Sequence, residues 1–167
     1  MVSGGLDYRM KIWDFTTMNR NLKPFKDFKP FDGHPVRTLS FNPSGTHFLC
    51  CCGNNQAKIY NSEGVRKKTT IRGDMYLLDM AHTKGHVASI NDGQWHPKEN
   101  NLFITGSQDG TIRQWDMYAK EVGVEQQLAH QTLMKAKGAR GAKVAITTSQ
   151  YSHKGEMVYG GCGDGSI

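Results

Sequence analysis

Three cysteines in a row, Cys50, Cys51 and Cys52, with Cys162 far downstream, are the residues of this 167-residue chain that most directly invite a chemical reading. Thiolates bind zinc when pairs of them face one another at short spacing. Here there is no C-x-x-C pair and no second cluster. Successive side chains on a strand also point to opposite faces, so three adjacent thiols cannot converge on one ion. The cysteines are expected to be small buried apolar groups in a reducing compartment, with no bound metal. Gly138-Ala139-Arg140-Gly141 is too short for a phosphate-binding loop and lacks the strand–loop–helix setting. Neither a carboxylate pair nor a nucleophile with its base is evident. Catalysis is not expected, no catalytic residue is assigned, and no cofactor is implied.

Cations are the other chemically active groups. The net charge is +6, with clusters at Arg66-Lys67-Lys68 and at Lys135, Lys137, Arg140 and Lys143. Such patches can meet nucleic acid or an acidic protein surface. Base stacking would need aromatic side chains interleaved with them, and none lies between Lys135 and Lys143. Apolar runs stay far below the length of a membrane span, and no basic-then-apolar leader follows Met1. A soluble intracellular protein is expected, with no membrane contact and no small-molecule substrate.

What could position these residues is an internal repeat. One turn-like pattern recurs at Ser3-Gly4-Gly5-Leu6-Asp7, Cys52-Gly53-Asn54-Asn55, Gly106-Ser107-Gln108-Asp109-Gly110 and Gly163-Asp164-Gly165. Asp7, Asn54, Asp109 and Asp164 are then equivalent, 47, 55 and 55 residues apart. Six residues after the first three of them come Trp13-Asp14, Tyr60-Asn61 and Trp115-Asp116. Upstream, Gly33-His34 precedes an apolar-rich stretch at 36–41, and Gly85-His86 precedes another at 87–95. Asn42-Pro43-Ser44-Gly45, His96-Pro97 and Ser152-His153-Lys154-Gly155 read as turns after those stretches. Short strands at regular spacing, with turns between and no long helical periodicity, argue for an all-β repeat.

The order Gly-His, strand, turn, strand, Asp-Gly turn, strand, Trp-Asp resembles the WD-repeat family. That resemblance implies a β-propeller of four-stranded blades, here two complete blades and two partial ones, at about 1–30, 31–74, 75–130 and 131–167. It also implies a hydrogen-bonded set that ties each blade together, mapped in the third copy onto His86, Thr105, Asp109 and Trp115. A buried carboxylate must be paired, and an imidazole N–H and a hydroxyl can do so. The first copy keeps Ser3, Asp7 and Trp13. The second keeps His34 but has Cys50, Asn54 and Tyr60 at the other three positions, so His34 would lack its carboxylate; the fourth keeps Asp164. The chain is expected to be part of a longer protein, beginning in a second strand and stopping in a third.

Finer likenesses, at Gly73-Asp74-Met75-Tyr76, Asp79-Met80-Ala81 and Thr83-Lys84-Gly85-His86, are similar to one branch of the family. That likeness implies a nuclear protein linked to cullin-type ubiquitin ligases, chromatin, DNA-break repair and splicing. Ligase receptors of the family often carry a basic residue two positions after a Trp-Asp pair; here Thr16 and Tyr118 occupy that place. The expected function is a non-catalytic scaffold for other proteins of a nuclear complex. The alternative is RNA or DNA contact through a basic loop at 135–143.

Overall fold

The computed structural model describes residues 1–16, 22–77, 79–123, 125, 127–138 and 141–167. Thirteen strands are found among the described residues, and no helix long and apolar enough to cross a membrane. They form four antiparallel sheets, each built from consecutive hairpins. The first contains β1 (Val2–Gly4), β2 (Met10–Ile12) and β3 (Lys26–Phe28). The second contains β4 (Val36–Phe41), β5 (His47–Cys52), β6 (Ala57–Asn61) and β7 (Arg66–Thr69). The third contains β8 (Ile90–Trp95), β9 (Leu102–Ser107), β10 (Thr111–Asp116) and β11 (Thr132–Lys135). The last contains β12 (Ile146–Tyr151) and β13 (Val158–Cys162). Because β11 pairs with β10, the third sheet runs on to Lys135, past the boundary at 130 expected from the sequence. The architecture is all-β, with the four-stranded antiparallel sheets expected of propeller blades.

The blades stack face to face, and each inner blade buries both of its faces. On β5, Phe48, Cys50 and Cys52 pack with Met10, Ile12 and Tyr60 toward the first blade. Leu49 and Cys51, pointing the other way, pack with Phe103, Trp115 and Leu128 of the third. This two-sided burial is why three successive cysteines are all fully buried, as small apolar side chains in a tight interblade seam. Phe103 serves that same seam, whereas the next residue, Ile104, joins Ile112, Ile146 and Tyr151 toward the fourth blade.

The first strands β4, β8 and β12 lie side by side along the inner edge of the stack. Asp92 on β8 accepts from the Thr38 hydroxyl at 2.9 Å, the Thr148 hydroxyl at 2.7 Å and the Ser149 N–H at 2.8 Å. One carboxylate therefore ties three blades together. Ser40 and Gln94 repeat the pattern two residues on, accepting from the backbone of Trp95 and Tyr151 respectively.

Candidate interaction surface on the third blade

The third blade carries the most complete buried network. His86 Nδ1 lies 3.0 Å from Asp109 Oδ2 and His86 Nε2 lies 2.8 Å from Thr105 Oγ1. Trp115 Nε1–H donates to the same Thr105 oxygen at 2.8 Å. Asp109 accepts further bonds from the Val87 N–H, the Thr111 N–H and the Thr111 hydroxyl. Burial pushes His86 below its ordinary value, against the pull of Asp109, so the imidazole is neutral. Burial works against the Asp109 charge as well, but the His86 and Thr111 bonds outweigh it and hold the carboxyl at about 2. Only one proton arrangement satisfies every group. The imidazole Nδ1–H donates to the carboxylate, and the Thr105 hydroxyl donates to Nε2 while accepting from the indole. Both imidazole nitrogens are bonded inside the blade, and the Thr105 and Thr111 hydroxyls beside them are buried. The set is a structural post.

That post sits at the neck of the loop that leads into β8. The loop has a narrow neck. The Gly73 N–H donates to the His86 carbonyl at 2.8 Å, and any Cβ on Gly85 would collide with the Ile71 carbonyl. Inside it, the Asp74 N–H donates to the Thr83 hydroxyl at 2.7 Å, and both Thr83 and Met80 are buried. Beneath it sits Arg113 of β10, fully buried. Its guanidinium donates to the Thr83 carbonyl at 2.7 Å and the Met80 carbonyl at 2.9 Å, and lies 2.8 Å from His130 Nδ1, whose own N–H donates to the Lys84 carbonyl at 2.9 Å. The planar fork of arginine suits two diverging acceptors at once. Lys58, at the same position of the second blade, reaches the Pro30 carbonyl at 2.5 Å in the loop leading into that blade. A cation in the third strand thus clips the loop that leads into its own blade in both four-stranded sheets. The sequence shows Lys11, Lys58 and Arg113 each four residues after the turn Asp or Asn, a signal the strand pattern alone does not interpret.

Past the neck the loop projects apolar groups. Tyr76 is 88% exposed, Met75 59%, and Leu77 stands beside them. Lys84, Lys137 and Lys143 are exposed. Lys135, at the tip of β11, bonds Asp79 at 2.7 Å. The backbone N–H of Ala81 and then Lys135 hold the Asp79 carboxyl down at about 2. Asp79, Lys135 and Lys143 border a small cavity of about 110 Å³ beside the Asp109–Gly110 turn.

The other residues singled out from the sequence lie apart from this post. Trp13 Nε1–H donates to the Ser3 hydroxyl at 2.8 Å, repeating the Trp115–Thr105 bond. Asp7 is exposed and accepts from the Arg9 N–H instead. His34 does not join a blade network. Val36 and Ile90 occupy equivalent registers, opposite Cys52 and Ser107. His86 precedes Ile90 by four residues but His34 precedes Val36 by only two, which leaves it short of the turn, where Asn54 in any case replaces the carboxylate. Asp164 is exposed and caps Ser166, as Asp109 caps Thr111. The position four before Ile146, equivalent to His86, is Ala142. The four cations expected to share a loop are divided: Lys135 belongs to a strand and an ion pair, Lys137 and Lys143 are exposed, and Arg140 lies outside the described residues.

The recurring turn, post and tryptophan coincide with the comparison to known proteins. A family model described as WD domain, G-beta repeat, matches residues 25–61 and 78–116. The chain belongs to the WD-repeat family. It is similar to WD repeat-containing protein 70 of Xenopus tropicalis, at 38% identity over 167 residues, all of this chain and 26% of the relative. The Homo sapiens protein of the same name is 36% identical over 167 residues, all of this chain and 24% of the relative. Gastrulation defective protein 1 homolog of Drosophila melanogaster is 34% identical over 167 residues, again all of this chain and 24% of the relative. The WD-repeat chain spans about a quarter of the length of these relatives. WD-repeat proteins generally act as protein-interaction scaffolds rather than as enzymes.

Proposed function

We propose that this WD-repeat segment belongs to a non-catalytic scaffold of a nuclear multiprotein complex of the ubiquitin-ligase, chromatin and DNA-repair, or splicing kind, and that its docking surface is the 74–84 loop of the third blade. The observation that carries this reading is the contrast within that loop. Its base is clamped by Arg113, Thr83 and the glycine neck, while its tip holds Met75, Tyr76 and Leu77 out in solvent. Clustered exposed apolar groups of this kind mark contact sites, and tyrosine and methionine are enriched in interfaces. A clamped base means that little conformational freedom is lost on binding. The exposed Lys84, Lys137 and Lys143 favour a partner whose apolar anchor is flanked by acidic residues.

Nucleic-acid contact through 135–143 has less support, because Lys135 is already committed to Asp79. The test is a triple replacement, Met75→Ser, Tyr76→Ser and Leu77→Ser, in the complete protein. Co-purification from nuclear extract is then quantified against wild type. Loss of a discrete set of partners with an unchanged melting temperature is expected, since the three side chains bury little in the blade. Unchanged recovery of every partner would refute this surface.

A further inference from the structure

A second surface lies on the outer side of the second blade, away from the 74–84 loop. A groove of about 550 Å³ runs along β7, lined by Lys58, Arg66, Lys67 and Lys68 and by Glu121 and Glu125. That volume falls in the range of roughly 300–1,000 Å³ typical of ligand-binding clefts. The four cations are not equally satisfied. Lys68 is ion-paired with Glu121. Among the described residues, Lys58, Arg66 and Lys67 have no carboxylate within ion-pair distance.

Lys58 is the most constrained of them. It is half-buried, its ammonium lies 3.7 Å from the Phe31 ring centroid, and it donates to the Pro30 carbonyl at 2.5 Å. Burial, and then the neighbouring Arg66, push it below its ordinary value. A partly desolvated ammonium beside a like charge gains most from an incoming anion.

The backbone indicates the form in which that anion arrives. At the C-terminal end of β7 the Leu128 segment lies alongside as a parallel bridge at Thr70, with the Ile71 N–H donating to the Leu128 carbonyl at 2.8 Å. The outer side of this strand therefore accepts extended chain at Thr70, and Arg66 and Lys67, further along it, are exposed. Strand addition of this kind takes its affinity from main-chain bonds and its selectivity from side chains.

We infer that this groove docks an extended acidic peptide of a partner protein, whose carboxylates neutralise Lys58, Arg66 and Lys67 as Glu121 neutralises Lys68. A nucleic-acid strand fits less well, because the one aromatic ring lining the groove among the described residues, Phe31, is already covered by the Lys58 ammonium and leaves no free face for base stacking. The site is separate from the 74–84 loop, so either can fail without the other.

The test uses the complete protein and a fluorescein-labelled octapeptide of alternating glutamate and valine, followed by anisotropy in low salt. Arg66→Glu with Lys67→Glu is compared with Lys98→Glu plus Lys154→Glu, an equal change of charge at exposed positions in other turns. The groove variant is expected to lose at least tenfold in affinity and the control less than twofold, both with the wild-type melting temperature. Equal losses in the two variants would overturn the proposal, because they would mean attraction by net charge alone. So would absence of peptide binding to wild type. Tighter binding of a single-stranded RNA oligonucleotide, with the same dependence on Arg66 and Lys67, would overturn it in favour of nucleic acid.

Discussion

Replacing Arg113 by methionine keeps a straight side chain of similar bulk in β10 and removes the guanidinium that holds the 74–84 loop. Two hydrogen bonds disappear, to the Thr83 and Met80 carbonyls. Bonds from a charged donor contribute about 1.5–3 kcal/mol each, and a buried carbonyl left unpaired costs about 1–3 kcal/mol. Against this stands relief from burying a cation that has no ion-paired carboxylate, which offsets several kcal/mol. The net loss is about 2–4 kcal/mol, concentrated in the loop rather than spread over the blade. Hydrogen exchange of the complete protein reads it directly. The amides of Gly73, Asp74, Ala81 and His82 are bonded to His86, Thr83 and Asp79 within the loop and its neck. With tenfold per 1.4 kcal/mol, their exchange should accelerate about 30- to 700-fold, while amides of β9 change little. If loop protection is unchanged, or if β9 loosens to the same extent, Arg113 is not a local clip and the reasoning fails.

Other perturbations probe the rest of the framework. Asp92→Ala removes three bonds that join three blades and should lower stability by about 2–4 kcal/mol; a denaturation midpoint equal to wild type would dismiss the interblade tie. Gly85→Ala places a methyl group against the Ile71 carbonyl, and overpacking of this kind costs about 1–3 kcal/mol; a crystal structure with an unaltered neck would contradict it. For pH, His86 is neutral in the fold because burial lowers it, so the unfolded chain takes up a proton that the folded one does not. The associated stability is fully present above about pH 6.5 and is lost on acidification, approaching about 1.4 kcal/mol per pH unit for one proton. His130, lowered by burial in the same direction, adds to the slope. Asp109, held at about 2, contributes stability that is lost only below the ordinary carboxylate value of about 3.9. A denaturation midpoint flat from pH 7.5 to 5 would contradict the neutral imidazole.

The blades were legible because their signals are local. Asp109, Gly110 and Trp115 sit on one hairpin, where spacing dictates geometry, and Gly110 adopts the positive φ of 76° that its turn requires. Contacts that cross between hairpins were not legible to the same degree. His34 looked equivalent to His86 because a Gly-His pair preceded an apolar stretch in both copies, yet the register of β4 leaves it two residues short. Asp92 gave no sign of joining three blades, since its partners are more than fifty residues away on either side. Lys135 was grouped with a cationic loop on composition alone, whereas pairing with Ile112-containing β10 makes it the end of a strand. The triple cysteine was readable as buried, because a strand covered on both sides has no other place for such a run.

The central claim is that partners dock on the 74–84 loop, and site-specific photo-crosslinking tests it most directly. A benzophenone side chain placed at position 76 in the complete protein is compared with the same probe at position 118. Tyr76 and Tyr118 are 88% and 71% exposed, the first in the loop leading into β8 and the second just after the end of β10. Saturable crosslinks to a discrete nuclear protein from position 76, absent from position 118 and reduced by Arg113→Met, are the expected result. Equal or indiscriminate crosslinking from both positions would contradict the account.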